Sequence, residues 1–197
     1  MSVLNFTYDK KRFESFIDAI IAIILTILVL ELRIPESEET HALSTQQQVA
    51  SLLHSFVSYI GSFLLIVGIW IDHHILFLNL QKLTKGYILL NMLFILSLSI
   101  MPFTTAFAGS NSDDSFAVAL LFGNYVIMNV FFGLLYWYAD RKKLIPHEFI
   151  VVNKNTGIYS VIGIIGLLAA IPIAYINTYI SFCLGILIFS GHLIKKS

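Results

Sequence analysis

Long apolar stretches separated by short polar segments dominate this chain. A helix that crosses about 30 Å of membrane hydrocarbon needs about 20 predominantly apolar residues. Six stretches meet this requirement. The sequence therefore predicts an all-α polytopic membrane protein, one domain over residues 1–197, with six transmembrane helices at about 13–32, 52–78, 86–108, 116–139, 157–176 and 178–194.

Local signals mark the ends of several predicted spans. The charge of Arg33 opposes continuation of the first helix, and Pro102 predicts a kink or an early end in the third. The last apolar stretch, residues 157–194, is too long for a single crossing. Asn177 and Thr178 near its middle predict a hairpin of two short helices.

The placement of lysine and arginine supports six spans and orients them. With six spans, one side of the membrane carries all but one of the 12 lysine and arginine residues, and only Arg33 lies on the other. Cytoplasmic flanks collect these residues, so both termini are predicted to be cytoplasmic. A count of five spans would place Lys195 and Lys196 outside.

Composition agrees with this pattern and narrows the functional classes. Only 12% of the residues are charged and 57% are hydrophobic, with a mean hydropathy of +0.83. So small a globule cannot hide that much apolar surface, and the excess must face lipid. The net charge is zero and no basic stripe is present, so no nucleic-acid partner is expected. No nucleotide-binding loop, nucleophile elbow or dinucleotide fingerprint occurs, so neither an enzyme nor a cofactor is predicted.

The first predicted span carries the most information about function. At 3.6 residues per turn, one stripe of this helix contains Arg12, Phe16, Ala19, Ile23, Thr26, Ile27 and Leu30. Asp18 points to nearly the opposite side. Thr26 is the only polar side chain between Asp18 and Glu31. In most membrane helices such a hydroxyl simply bonds a backbone carbonyl one turn back.

Asp18 needs a partner inside the protein. A carboxylate in a spanning helix costs about 2.5–3.5 kcal/mol at the bilayer centre and usually faces protein or water. Trp70, His73 and His74 lie at the end of the second span that is predicted on the same cytoplasmic side as Asp18, so they are candidate partners. Arg12 could join them. Two interpretations stay open: an interhelical hydrogen-bond network that fixes the packing, or a proton-sensitive switch that uses histidine.

Other familiar signatures are missing from the sequence. Asp72, His73 and His74 are adjacent, so they point roughly 100° apart on a helix and do not converge as metal ligands. No metal site is predicted. The chain also lacks a TVGYG selectivity filter and an arginine ladder for voltage sensing.

Two strings of residues resemble the transmembrane protein 175 family of potassium channels. The first span resembles that family's RxxxFSD motif and pore helix, with Arg12, Phe16 and Asp18 at the motif positions. The second span resembles its WxxHH string, formed here by Trp70, His73 and His74. Ile17 stands where the motif has serine, which puts any hydrogen bond of that serine in doubt.

The resemblance implies a pore lined by the first helix of each subunit at a symmetry axis. Bacterial members assemble from four six-span subunits, so a homotetramer in a bacterial inner membrane is expected. The positions that match the family's constriction are Ile23, Ile27 and Leu30, and Thr26 matches the threonine linked to potassium preference. The expected partners are the lipid bilayer and potassium ions, with other monovalent cations or protons left open.

Two alternatives to a channel come from the sequence. A small secondary transporter would use a broken helix and a substrate site at the membrane midplane, and Gly163, Gly166 and Pro172 could interrupt the fifth span. A non-conducting membrane scaffold would only oligomerise.

Overall fold

The computed structural model describes residues 8–32, 44–152 and 154–194, and over these ranges the chain is helical with no strand. The all-α prediction is confirmed. The helices are α1 Lys10–Leu30, α2 Thr45–Ser51, α3 Leu53–Asn79, α4 Lys85–Ser99, α5 Met101–Ser110, α6 Ser115–Arg141, α7 His147–Val152, α8 Lys154–Ala174 and α9 Thr178–Ile194.

Four described helices are long and apolar enough to cross a membrane. They correspond to α1, the run of α2 and α3, the run of α4 and α5, and α6. The apolar part of α8, Val161–Ala174, is shorter. α8 and α9 pack against each other, but the count of six spans stays a prediction. Arg33, Lys195 and Lys196, which the sequence used to end and orient spans, lie outside the described residues.

Side-chain caps begin five of the described helices. A side-chain oxygen accepts a hydrogen bond from the first turn in each case, and the capping residues are Asp9, Ser44, Thr84, Asp114 and Asn177. At Ser44 the bond is reciprocal, because the Gln47 side chain accepts from the Ser44 backbone. The caps satisfy backbone donors that a helix start leaves free.

Pro102 divides the third apolar stretch, as predicted. α4 ends at Ser99, Ile100 separates the two helices, and α5 begins at Met101 with Pro102 in its first turn. The first turn of a helix tolerates proline because its backbone N–H would have no partner within the helix.

α1 packs on one side only. It contacts α3, α4 and α5. Its inner face consists of four aliphatic side chains that are at most 4% exposed, namely Ile17, Ile21, Ile24 and Leu28. The start of α1 is also tied to the end of α3, since Lys10 Nζ donates to the Leu80 carbonyl at 2.6 Å. The rest of the chain thus holds α1 by its inner face.

Buried hydroxyls join α3, α5 and α6. Ser62 Oγ lies 2.7 Å from Tyr125 OH and accepts a hydrogen bond from Thr105 Oγ1 at 2.8 Å. Asn124 Nδ2 donates to Thr104 Oγ1 at 3.3 Å. Polar groups inside a membrane protein pair with one another because lipid offers no partner. The sequence analysis did not anticipate this network.

Candidate functional site

The outer face of α1 carries the stripe that the sequence singled out. Ile23 is 56% exposed, Ile27 40% and Leu30 63%, and Thr26 is exposed beside them. Phe16 and Arg12 continue the same face toward the start of the helix and are also exposed. No other described part of this chain covers the face, so it meets either lipid or another molecule.

Thr26 satisfies its own donor within the helix. Its Oγ1 donates to the Ile23 carbonyl at 2.8 Å. This is the bond expected of a threonine in a membrane helix. Because the hydroxyl hydrogen is engaged, the oxygen lone pairs are left for a group outside the helix, and a cation can use them.

Asp18 is paired with the second string of the sequence. Trp70 Nε1 donates to Asp18 Oδ1 at 2.9 Å. The Trp70 indole also stacks on the His74 imidazole, with ring centroids 5.8 Å apart. The contact joins α1 to α3 and gives the half-buried carboxylate a hydrogen-bond donor.

His73 and His74 point into different surroundings, as neighbouring positions on a helix must. His73 is buried between the rings of Phe77 and Phe94, and its Nε2 lies 3.1 Å from Asn91 Nδ2. It therefore braces α3 against α4. Of the candidate partners of Asp18, Trp70 bonds it and His73 does not.

His74 meets a residue that the sequence analysis missed. Its Nδ1 lies 3.4 Å from Glu14 Oε1. Glu14 and Asp18 are four residues apart on α1, a spacing that places both carboxylates on one side of the helix and could have been noticed in the sequence. The side chain of Arg12 is exposed and makes no hydrogen bond or ion pair with the described residues, so it does not join this network within one chain.

Ile17 occupies the position at which the motif has serine, and it is fully buried. A branched aliphatic side chain packs there against the core instead of offering a hydroxyl. The inner face of α1 is consequently apolar from Ile17 to Leu28.

Comparisons with known proteins agree with the two sequence strings. The endosomal/lysosomal potassium channel TMEM175 family matches residues 12–102. A potassium channel of Chryseobacterium is 35% identical over 102 residues, which make up 52% of this chain and 50% of that protein. A potassium channel of Chamaesiphon minutus is 25% identical over 186 residues, 88% of each chain. The human endosomal/lysosomal proton channel TMEM175 is 32% identical over 116 residues, only 23% of its length.

Solved structures show the same fold. The crystal structure of a TMEM175 homolog from Chamaesiphon minutus, a lysosomal potassium-selective channel homolog, superposes with a TM-score of 0.82 at 20% identity and covers 94% of this chain and 97% of that one. The matched family segment contains the whole outer stripe of α1 and the residues that pair with Asp18. The chain is therefore an integral membrane protein that is similar to the TMEM175 family of ion channels over residues 12–102, just under half of its length, and that has the fold of a solved homolog of that family.

Proposed function

We propose that this chain is one subunit of a homotetrameric, potassium-permeable channel in which the four α1 helices line the pore. The observation that carries the proposal is the outer stripe of α1, which the described helices leave uncovered although they bury the opposite face. Relatives named as potassium channels support the choice of ion.

Closed rotational symmetry would cover the stripe. Homo-oligomers favour closed point groups, and in a tetramer four copies of one helix can surround the axis. α3, α4 and α5 would then stand behind each α1 as its support. In this proposal each subunit has six spans with both termini in the cytoplasm, and the channel lies in a bacterial inner membrane.

The stripe would form an apolar neck with a single polar layer. Rings of Ile23, Ile27 and Leu30 resist wetting, and a narrow apolar constriction blocks hydrated ions until it widens. Four Thr26 hydroxyls would face the ion with their lone pairs, since their hydrogens are bonded to the backbone. One ring of hydroxyls replaces little of a hydration shell, so selectivity for potassium over other monovalent cations or protons is modest.

The residues behind the stripe would hold the pore helix in place. Asp18 bonded to Trp70, and Glu14 beside His74, fix α1 to α3. His73 fixes α3 to α4 through Asn91. In this role the network is a packing device at the cytoplasmic end. Phe16 and Arg12 on the outer face would meet the neighbouring subunits.

The proposal is tested by Ile23→Asn, which adds a polar group to the neck. We expect basal potassium flux into proteoliposomes to rise several-fold, because a polar ring favours water in the constriction. Ile162→Asn is the matched control: Ile162 lies on α8, is also 56% exposed, and should leave the flux unchanged. Equal flux in the wild type and in Ile23→Asn would remove Ile23 from the gate.

Single-channel recording separates the proposal from its two rivals. A transporter turns over too slowly for unitary current steps, and a scaffold gives no current. The structure also argues against the transporter alternative, because α8 runs unbroken from Lys154 to Ala174 through Gly163, Gly166 and Pro172. A broken helix was the sequence feature that favoured it.

A further inference from the structure

Three side chains that can bind metals converge between α1 and α3. They are Glu14, Asp18 and His74, and their ligand atoms all lie within 4.8 Å of one another. The two carboxylates stand one helical turn apart on α1, and the imidazole comes from the facing helix. All three residues are half-buried, so an ion can reach them.

The distances suit a small divalent ion. In a tetrahedral zinc site with bonds of about 2.0–2.1 Å, neighbouring ligand atoms are about 3.3 Å apart. The Glu14 Oε1 to His74 Nδ1 distance is already 3.4 Å. Small side-chain rotations would bring Asp18 to the same spacing.

His74 Nδ1 gives an independent sign of a ligand-binding position. This nitrogen is buried and has no hydrogen-bond partner among the residues that the structure describes, although the ring as a whole is partly exposed. Its neighbour Glu14 stands at ion-pair distance without the geometry of a hydrogen bond. Buried polar atoms are almost always satisfied, and a metal ion would satisfy this one.

A second set of contacts orients the ligands. The Trp70 indole donates to Asp18 and stacks on His74, so one side chain positions two of the three groups. Metal sites commonly depend on such outer contacts, which fix ligand orientation. The remaining coordination position would be open to water.

We propose that Glu14, Asp18 and His74 form a binding site for a divalent transition-metal ion of the Zn²⁺ type, shared by α1 and α3. One imidazole and two carboxylates are a ligand set that zinc accepts. A bound ion would link α1 to α3. The site differs from the Asp72, His73 and His74 set, whose members point apart.

Trp70 offers a direct reporter of occupancy. The chain has two tryptophans, so Trp137→Phe leaves Trp70 as the only indole. Paramagnetic Co²⁺ bound at His74 would quench the fluorescence of Trp70. Diamagnetic Zn²⁺ would displace Co²⁺ and restore the fluorescence. Titration of the purified full-length Trp137→Phe protein in detergent with CoCl₂, and then with ZnCl₂, should show saturable, reversible quenching at one ion per chain.

Ligand and control variants in the same background identify the site. Glu14→Gln and His74→Ala should each weaken Co²⁺ binding at least tenfold. Glu148→Gln and His147→Ala remove the same groups from exposed positions on α7 and should bind as the parent does. His74→Cys supplies a thiolate ligand and should restore binding, which separates loss of a ligand from loss of fold.

Unchanged affinity in both Glu14→Gln and His74→Ala, or quenching that never saturates, would overturn the proposal. So would loss of binding in His147→Ala. The measurement needs no ion flux, so its failure leaves the proposed channel function untouched, and a channel that fails to conduct leaves the metal site standing.

Discussion

Thr26 makes a structural contact that is compatible with the proposed role in the pore. Its hydroxyl hydrogen bonds the Ile23 carbonyl, a structural contact found in many membrane helices. The same bond directs the oxygen lone pairs away from the helix, on the face that the described residues leave exposed. The structural and functional interpretations of this residue are therefore compatible.

Thr26→Val tests the functional role. Valine keeps the shape and removes the oxygen, so we expect the potassium to sodium permeability ratio to fall toward 1. Thr26→Ser, which retains a hydroxyl, should preserve most of the preference. Reversal potentials under bi-ionic conditions measure the ratio, and an unaltered ratio in Thr26→Val would end the threonine proposal.

Two buried tyrosines differ in whether their hydroxyls have partners. Tyr125 OH lies 2.7 Å from Ser62 Oγ. Tyr87 OH is buried and lacks a hydrogen-bond partner among the described residues. An unmade hydrogen bond in the interior costs about 1–3 kcal/mol, and a made one contributes about 1 kcal/mol.

We therefore expect opposite results from the same substitution at these positions. Tyr125→Phe should lower the melting temperature of the detergent-purified protein by about 2–4 °C, the shift that about 1 kcal/mol produces in a chain of this size. Tyr87→Phe should leave it unchanged or raise it, because no bond is lost. A larger drop for Tyr87→Phe than for Tyr125→Phe would contradict this account of the polar core.

At the scale of elements, one close approach between two helices depends on a glycine. A Cβ on Gly109 of α5 would lie 2.7 Å from the Ser55 Cα of α3. Backbone atoms cannot rotate away, so any side chain there forces the helices apart. Small residues permit this kind of close approach between helices in membranes.

Gly109→Ala should destabilise the fold by about 1–3 kcal/mol, as overpacking does. Gly133→Ala is the control: a Cβ at Gly133 of α6 meets nothing within 4 Å, and alanine favours helix there. Thermal melting of both variants side by side measures the difference. Equal stability of the two would show that α3 and α5 can separate freely.

At the scale of the whole molecule, the exposed apolar stripe of α1 faces either lipid or a partner molecule. Leu30 on α1 and Leu89 on α4 are the same residue type and are both 63% exposed. Of the two, only Leu30 lies on the stripe that the proposed tetramer would place at its symmetry axis. Cys183, the sole cysteine of the chain, is exposed and must first be removed as Cys183→Ser.

In that background Leu30→Cys should form intersubunit disulfides on mild oxidation, because four copies would meet around the axis of the proposed tetramer. Leu89→Cys should not. Non-reducing electrophoresis of membranes detects the cross-linked dimer. Preferential cross-linking of Leu89→Cys would place α4 rather than α1 at the interface and refute the proposed pore.

Hydropathy in the sequence determined the helical class, the approximate helix limits and the division of α1 into two faces. These features depend on local chemistry: apolar length, the period of the helix and the position of Pro102. The outer stripe could be predicted because its members lie within one helix. The family likeness depended on the same short strings.

Only the tertiary structure decided which side chains meet across helices. It paired Asp18 with Trp70, turned His73 toward Asn91, and brought Glu14 beside His74. It also joined Ser62, Thr105 and Tyr125 in a buried network. Such pairings depend on the relative rotation and depth of two helices, and nothing in the spacing along either helix specifies them.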